Sequence, residues 1–347
     1  MPISARFLPV LFALLVMVPA SSQQFAATTE SANAKVHLDV VVRSKAGSAV
    51  ADLQQQDFTV LDNKSPKTIT AFRAWNGNKA PVHVILIIDT VNTPYQTLIQ
   101  VRDQIGRFLS ADNGDLMYPT TLAFFTDKGV QLQEASAKDG KALNTYLANY
   151  KFGLRSNERR ETFYGGTERY ELSLAALRQL ATREATRPGR KVVLWISPGW
   201  PTISEDILQF DAPEKRQKVF DNIVDMSTRL RQAQMTLYSV DPIGTGESLE
   251  HMSQYEPFLK GVSKPSQAEF GNLSLEVLVH QTGGLVVGSS NNITNLLQQC
   301  VSDNVTYYEL SFDPPVAEHR DEYHHLQVKV ARPDSIPRTN DGYYLQP

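Results

Sequence analysis

Residues 82–88 read VHVILII, a nearly unbroken apolar run that decides the fold. A strand with one face in water would alternate between apolar and polar side chains. In this run the odd-numbered and the even-numbered positions are both mostly apolar. That pattern is typical of a parallel strand covered on both faces. Similar runs follow at residues 120–126 (TTLAFFT), 191–197 (KVVLWIS) and 235–240 (MTLYSV), and a shorter one at residues 285–287.

Segments with helical spacing separate these runs. In residues 97–109 the apolar side chains recur every three or four positions, as on one face of a helix. The same spacing recurs at residues 138–150, 168–181, 213–234, 273–282 and 293–301. Because strands and helices alternate, the sequence predicts an α/β domain over residues 80–302, with a mostly parallel, doubly wound sheet.

The segments on either side of the α/β domain have a different pattern. Residues 36–42 and 323–330 largely alternate between apolar and polar side chains, which indicates half-buried strands. Neither the N-terminal β segment (residues 35–78) nor the C-terminal β segment (residues 303–347) is large enough to bury a core alone. We therefore expect the two segments to pack together as a small β-sandwich, with the α/β domain inserted between them.

The first residues predict export. A basic residue precedes the apolar stretch FLPVLFALLVMV at residues 7–18, which is too short to span a bilayer, and small residues follow. We expect a signal peptide at residues 1–22, cleaved after Ala20 or Ser22, and a linker at residues 23–34. The mature protein would be secreted or periplasmic, without a membrane span. An uncleaved signal that serves as an anchor is the alternative.

Composition excludes one class of partner and one kind of cross-link. The chain has 34 Lys and Arg against 37 Asp and Glu, a net charge of −3. It therefore lacks the basic excess that binding to a phosphate backbone requires, and no nucleic-acid partner is expected. The single cysteine, Cys300, cannot form an intramolecular disulfide, and its place on an amphipathic helix predicts a buried, unreactive thiol.

Several segments of the chain occur in the order found in a known family. After the N-terminal β segment come VILIIDTVNT, GGTERYELSLAALRQL, GRKVVLWISPGW, MTLYSVDPIG, HQTGGLVV, and finally YYELSFDPP with HHLQVKVARP and GYY. In this order they resemble the VWFA-related domain proteins of acidobacteria, within the von Willebrand factor type A (VWA) superfamily. The resemblance covers essentially the whole mature chain. It implies a Rossmann-like VWA fold and export, and implies little about biochemical activity.

The resemblance also implies a metal-ion-dependent adhesion site at the carboxyl ends of the strands. Its first loop is usually Asp-x-Ser-x-Ser, its second supplies a Thr, and its third is Thr-Asp-Gly. Mg²⁺ prefers six oxygen ligands in an octahedron, with one position open to an acidic side chain of the partner. Here Asp89 and Thr93 match the first loop, but Val91 replaces the first Ser. Thr167 matches the second loop, and Pro198 replaces the carboxylate of the third.

The implied site is therefore degenerate. Asp89, Thr93 and Thr167 remain as metal ligands, and Asn92 and Ser197 are further oxygen donors in the same loops. We expect no cofactor, or Mg²⁺ or another divalent cation that binds weakly. Without a metal, Asp89 would order its loop by accepting hydrogen bonds from backbone N–H groups. The crevice at the strand ends would still be a natural ligand site.

These features favour a protein-interaction or adhesion module with an unidentified protein ligand, and not an enzyme. A structural envelope component and an enzyme acting on an exported polymer are the alternatives. The enzyme would need an acid, base or nucleophile set, and Ser-Pro-Gly at residues 197–199 is not a nucleophile elbow.

Histidines and tryptophans outside the three loops have structural interpretations as well. His324 and His325 are adjacent on a strand, so they point to opposite faces and cannot chelate one ion together. His83 lies in a buried strand and is expected to be a core residue with a hydrogen-bond partner. Trp195 is expected in the core, whereas Trp200 is either a core residue or a ligand contact beside the third loop.

Overall fold

The computed structural model describes residues 35–134, 136–152, 163–201, 212–244, 254–288 and 290–346. The strands are β1 (Val36–Ser44), β2 (Phe58–Asp62), β3 (Ser65–Lys67), β4 (Ile69–Asn76), β5 (Val82–Asp89), β6 (Asp115–Thr126), β7 (Gly129–Leu132), β8 (Ala137–Asp139), β9 (Arg190–Ile196), β10 (Met235–Val240), β11 (Val286–Val287), β12 (Thr306–Phe312), β13 (Glu322–Val330), β14 (Ser335–Arg338) and β15 (Gly342–Leu345). The α-helices are α1 (Tyr95–Ser110), α2 (Gly140–Asn149), α3 (Phe163–Glu184), α4 (Pro213–Gln232), α5 (Leu275–Gln281) and α6 (Ile293–Asp303).

A mostly parallel sheet forms the larger part of the fold. Its strand order is β11-β10-β9-β5-β6-β7, and β8 also pairs with β6. The strands β5, β6, β9, β10 and β11 pair in parallel, whereas β7 and β8 run antiparallel to β6. The predicted α/β class with a mostly parallel sheet is confirmed.

Helices bury both faces of this sheet. In β5, Ile85 and Ile87 pack in one apolar cluster with residues of α3, α4 and α5. Their neighbours Leu86 and Ile88 pack in a second cluster with residues of α1, α2 and α6. Burial of each such side chain stabilises the fold by about 1.5–3 kcal/mol. The run at residues 82–88 is therefore mostly apolar on both sides of the strand, because helices cover both faces of β5.

Two four-stranded antiparallel sheets lie beside the α/β part. Their orders are β14-β1-β12-β4 and β15-β13-β2-β3. Every strand in them comes from residues 36–76 or 306–345. For example, Leu38 of β1 lies opposite Leu310 of β12. Both sheets contribute to one apolar core, so strands from the two ends of the chain complete each other's hydrogen bonding and burial.

Four short strands are absent from the sequence predictions, and one of them, β8, overlaps the start of the helix expected at residues 138–150. The strands β3, β7, β8 and β14 have only three or four residues each, too few to show a clear alternation. The strand β6 also begins at Asp115, five residues before the predicted start at Thr120. Its register with β8 shifts between these two residues, and Pro119, which has no N–H to donate, lies in that interval.

A buried carboxylate joins one of the antiparallel sheets to the α/β part. Asp303, at the end of α6, accepts a hydrogen bond from Arg43 Nε of β1 at 3.1 Å and from Tyr238 Oη of β10 at 2.6 Å. It also forms an ion pair with Arg338 of β14. One side chain therefore contacts three strands from two sheets.

The predicted signal peptide and linker, residues 1–34, lie outside the described residues. Within the described parts of the chain, we find no helix with the length and apolar character needed to cross a membrane.

Candidate functional site

The central strand β5 ends in a fully buried carboxylate. Asp89 is 0% exposed, and its Oδ1 accepts hydrogen bonds from the backbone N–H of Val91 at 3.0 Å and of Asn92 at 2.8 Å. Its Oδ2 accepts from the Asn92 side-chain amide at 2.8 Å and from the Trp195 indole at 3.0 Å. The bonds to backbone N–H groups form the kind of local turn that Asp side chains favour. Asp89 thus orders the loop that follows β5.

These donors to Asp89 are all neutral, and no described residue places a cation against its carboxylate. Burial raises the pKa of Asp89, and hydrogen bonds from Asn92, Trp195 and Ser197 oppose that rise. A buried charge balanced only by neutral dipoles is costly to the fold. Carboxylates with pKa values perturbed in this way cluster at functional sites, so the loop after β5 is a candidate site on physical grounds.

Helix α3 forms a second wall of this site. The side-chain amide of Asn92 also donates to Ser173 Oγ of α3 at 3.0 Å. Ser173 Oγ in turn donates to the Arg169 carbonyl, one turn earlier in the helix, at 2.7 Å. Thr167 stands two residues before Arg169 and is half-buried, whereas Thr93, in the loop after β5, is buried. Asn92 therefore ties the loop after β5 to the first half of α3.

The loop after β9 contains the third predicted segment. Ser197 is buried, and its Oγ accepts a hydrogen bond from the Gly199 N–H at 3.2 Å. Gly199 has a φ of 103°, a conformation that favours glycine. After this turn the ring of Trp200 meets the ring of Trp195 edge-on, at 5.5 Å between centroids and 72° between planes. Trp200 is only 4% exposed, and it still lines the pocket described next.

An open pocket of about 260 Å³, the crevice, lies at the carboxyl ends of β5, β9 and β10. Its polar lining comes from Asn92, Arg169 and Asp241. The rest of the lining is Pro94, Pro198, Gly199, Trp200, Pro201 and Ile243. Asp89 does not line the crevice, whereas Asn92, which donates to it, does. In doubly wound sheets, this edge is where ligands bind.

The structure brings the predicted site residues together to different degrees. Asp89, Asn92 and Ser197 share one hydrogen-bond network. Thr93 belongs to the same loop as Asn92, and Thr167 stands on the helix that Asn92 contacts. Only Asn92 of these five faces the crevice directly.

As they are arranged, these residues do not fit a divalent cation. A metal ligand turns a lone pair towards the ion, but both oxygens of Asp89 accept from N–H groups, whose positive ends would repel a cation. Val91 is buried in the apolar core where the resemblance has a hydroxyl, and Pro198 has no side-chain oxygen. Among the residues that the structure describes, no three His, Cys, Asp or Glu side chains are grouped to hold a metal.

Three residues of the site were not predicted from the sequence. An indole N–H in a fully buried strand needs an acceptor, so Trp195 pointed to a partner such as Asp89. Asp241 follows β10 directly, just as β5 ends in Asp89, and the rule of strand ends could have found it. Arg169 gave no comparable signal, because one sequence does not show which face of α3 meets the crevice.

The histidines and the cysteine singled out in the sequence lie elsewhere. His83 Nε2 lies 2.9 Å from a threonine hydroxyl on β6, and burial lowers its pKa to about 4. His324 is buried with its Nδ1 2.7 Å from Asp62 Oδ1, whereas His325 is exposed. Cys300 is fully buried, and burial raises the pKa of its thiol.

No family model matches this chain, and no curated protein does. Among solved structures, the chain is similar to proximal thread matrix protein 1 from the mussel byssus, with 12% identity and a TM-score of 0.33 over 67% of this chain and 49% of that one. It is similar to the TFIIH p34 N-terminal domain, with 12% identity and a TM-score of 0.29 over 65% and 99% of the two chains. It is also similar to the pilus adhesin SpaC from Lactobacillus rhamnosus GG, with 8% identity and a TM-score of 0.36 over 85% and 50%. The chain spans about half the length of the first and third proteins. Similarity at this level assigns neither a family nor a function.

Proposed function

We propose that this chain is an exported module of the von Willebrand factor type A kind that binds a protein partner at the crevice, without a metal ion. The crevice itself is the observation that carries the proposal, because it lies at the carboxyl ends of three parallel strands and combines polar and apolar walls. The parallel sheet with helices on both faces is compatible with a Rossmann-like VWA domain. Export rests on the apolar segment at residues 7–18.

The size of the crevice favours an anchor for one or two side chains of a larger interface. A stable protein interface buries roughly 800 Å² of surface on each partner. The walls of a pocket of about 260 Å³ provide only a small part of that area. Most of the binding energy in such interfaces comes from a few central residues, and tryptophan and arginine are enriched among them. The crevice contains both of these residue types, in Trp200 and Arg169. The surface around the crevice would supply the remaining contact area.

The charges at the crevice restrict what the partner presents there. Arg169 and Asp241 line the same pocket, so the partner would meet both a positively and a negatively charged side chain there. Pro94, Pro198 and Pro201 stiffen the surrounding loops, which lowers the entropy lost on binding. Asp89 would act through Asn92, whose side-chain amide it holds at 2.8 Å, and so would keep the crevice in its binding shape.

A capture experiment with matched variants tests this function. The mature chain and the variants Arg169→Ala, Asp241→Asn and Lys329→Ala would each be used to capture proteins from the secreted and periplasmic fractions of the source organism. Lys329 is exposed on β13, away from the crevice, and serves as the control. We expect one partner to be retained by the native chain and by Lys329→Ala and to bind the crevice variants at least tenfold more weakly.

The affinity for that partner should be the same in a metal chelator as in millimolar Mg²⁺. A partner that binds all four proteins equally would show that the crevice is not its binding site. A partner that is released by the chelator would show that binding depends on a metal, against the proposal.

A further inference from the structure

A second open pocket lies where the antiparallel sheet that contains β1, β12 and β4 meets the α/β part. Its volume is about 230 Å³, and its polar lining consists of His37, Asp39, Arg73, Gln234, Glu309 and Ser311. We call this pocket the junction cleft. Every lining residue except Gln234 comes from β1, β4 or β12. Gln234 directly precedes β10, so the junction cleft lies towards the amino ends of the parallel strands, opposite to the crevice.

Three ionisable side chains form a row in the junction cleft. Glu309 of β12 lies opposite Asp39 of β1 on one side and opposite Arg73 of β4 on the other. Residues directly opposite each other on neighbouring strands point to the same face of a sheet. Because adjacent strands are about 4.8 Å apart, two carboxyl groups and then a guanidinium follow one another within roughly 10 Å.

Only the first group of the row has an ion-pair partner inside the protein. Asp39 Oδ2 lies 3.5 Å from Nε of the buried Arg190. The side chains of Glu309 and Arg73 form no hydrogen bond or ion pair with any described residue, although Arg73 lies over the Trp75 ring, 5.2 Å from its centre. Glu309 is half-buried and Arg73 is exposed. The junction cleft therefore presents a negative and a positive group, on neighbouring strands, that can both bind a ligand.

We propose that the junction cleft binds a free α-amino acid, whose ammonium group contacts Glu309 and whose carboxylate contacts Arg73. Both charged groups of an α-amino acid are attached to one carbon atom, so they can reach neighbouring strands at the same time. A guanidinium binds a carboxylate through two parallel hydrogen bonds, and an ammonium group donates up to three. A ligand with only a positive charge would be repelled by Arg73, and one with only a negative charge by Glu309. The proposal does not depend on a protein partner at the crevice.

Three small ligands that differ in their charged groups test the proposal on the full mature chain. Glycine has both groups and no side chain, glycinamide lacks the carboxylate, and N-acetylglycine lacks the ammonium group. Titrations followed by nuclear magnetic resonance would give the Kd of each. We expect saturable binding of glycine with a Kd of about 1 mM, and binding of the other two at least about fivefold weaker. Absence of glycine binding would overturn the proposal. Equal affinity for glycinamide or N-acetylglycine would show that one charge suffices, and would also contradict it.

Matched variants separate the charges of the junction cleft from general surface charge. Glu309→Gln and Arg73→Gln each remove one charge of the pair, and we expect each to weaken glycine binding by about fivefold or more. Glu134→Gln and Arg107→Gln remove exposed charges that do not line the junction cleft, and they should leave the affinity unchanged. Equal affinity for glycine in all four variants would place its site elsewhere and contradict the proposal. Circular dichroism would establish that the variants are folded.

Discussion

Two buried aspartates of this molecule are held in opposite ways. Asp89, at the carboxyl end of β5, is 0% exposed and receives only neutral donors, among them the Trp195 indole. Asp303, at the end of α6, is 4% exposed and lies between Arg43 and Arg338. The first carboxylate lies beneath a crevice, whereas the second lies at the junction of two sheets.

The difference separates a structural carboxylate from a candidate functional one. The arginines around Asp303 offset the cost of its burial and link one antiparallel sheet to the α/β part, so its role is complete within the fold. Asp89 has only neutral donors around its buried carboxylate, and that arrangement is unfavourable for stability alone. We therefore infer that Asp89 acts on the shape of the crevice, mainly through the hydrogen bond that it accepts from the Asn92 side chain.

The largest expected effect comes from removing the charge of the structural carboxylate. Asp303→Asn leaves Arg43 and Arg338 without their anion. Breaking a buried pair in this way costs about 3–5 kcal/mol, and we expect the lower end because the two arginine side chains are 22% and 25% exposed. Urea unfolding followed by circular dichroism would measure the loss.

An exposed ion pair provides the control for this substitution. Asp334 pairs with Lys45 at 2.6 Å, but both side chains are about two-thirds or more exposed. Asp334→Asn should therefore change the free energy of unfolding by less than about 0.5 kcal/mol. If Asp303→Asn lowered the free energy of unfolding as little as Asp334→Asn, the ion pairs with Arg43 and Arg338 would not stabilise the fold. Asp303 would then not be the structural carboxylate that its contrast with Asp89 requires.

Asp39 is an intermediate case and gives the second effect, which depends on pH. Its Oδ2 lies 3.5 Å from Arg190 Nε, and Glu309 lies opposite it on the next strand. Burial raises the pKa of Asp39 from 3.8 to about 6, Arg190 opposes the rise and Glu309 adds to it. Because this pKa is raised by folding, the stability that Asp39 contributes is full below about pH 4 and is lost as the pH rises towards 6.

Asp39→Asn should remove that loss. Between pH 4 and pH 7 the variant should gain up to about 3 kcal/mol relative to the native chain. Urea unfolding at several pH values would show the two stabilities diverging, since all other titrating groups are common to both proteins. The exposed Asp313, 64% exposed, provides a control in Asp313→Asn. Parallel curves for Asp39→Asn and the native chain would show that Arg190 compensates Asp39 fully, as the arginines do for Asp303.

A smaller effect isolates one of the neutral donors to Asp89. Trp195→Phe removes the indole N–H that lies 3.0 Å from Asp89 Oδ2. Trp200→Phe removes a similar volume from the same cluster, but its Nε1 has no hydrogen-bond partner among the described residues. We expect Trp195→Phe to cost about 1–3 kcal/mol more than Trp200→Phe, the cost of depriving a buried carboxylate of a donor. Thermal unfolding of the two variants would measure this difference, and equal losses would mean that the indole bond does not support Asp89.

The sequence predicts the centre of the fold better than its edges. The run at residues 82–88 identifies a central strand because burial on both faces leaves His83 as its only polar side chain. The strand β7 and the other short strands form because they pair with a neighbouring strand. A segment of three or four residues is too short for its sequence to predict such pairing. Strand β14, for instance, is fixed by pairing with β1, nearly 300 residues away in the chain.

Similar limits apply to the candidate site. The position of Asp89 at the end of an apolar strand marks it directly in the sequence, and the loop residue Asn92 follows from that. The full lining of the crevice could not be predicted in this way, because Arg169 reaches the crevice only through the packing of α3 against the loop after β5. Which residues of a helix face a sheet edge depends on tertiary packing, and one sequence shows only that the helix has an apolar face.

The smallest expected effect is the response to metal, and it addresses the charge of Asp89 most directly. Millimolar Mg²⁺ or Mn²⁺ should change the Tm of the native chain by less than about 1 °C. An ion that binds the folded state raises the Tm, and the rise grows with the logarithm of its concentration relative to its Kd. Here the ion would have to displace the Trp195 and Asn92 donors and give up hydration water. Asp89→Asn, which lacks the charge, should respond equally little. A rise in Tm that the native chain shows and Asp89→Asn does not would mean that a cation balances Asp89 much as the arginines balance Asp303. In that case, the distinction between the two carboxylates would be one of how the counter-charge is supplied, and the crevice would belong to a metal-dependent adhesion site.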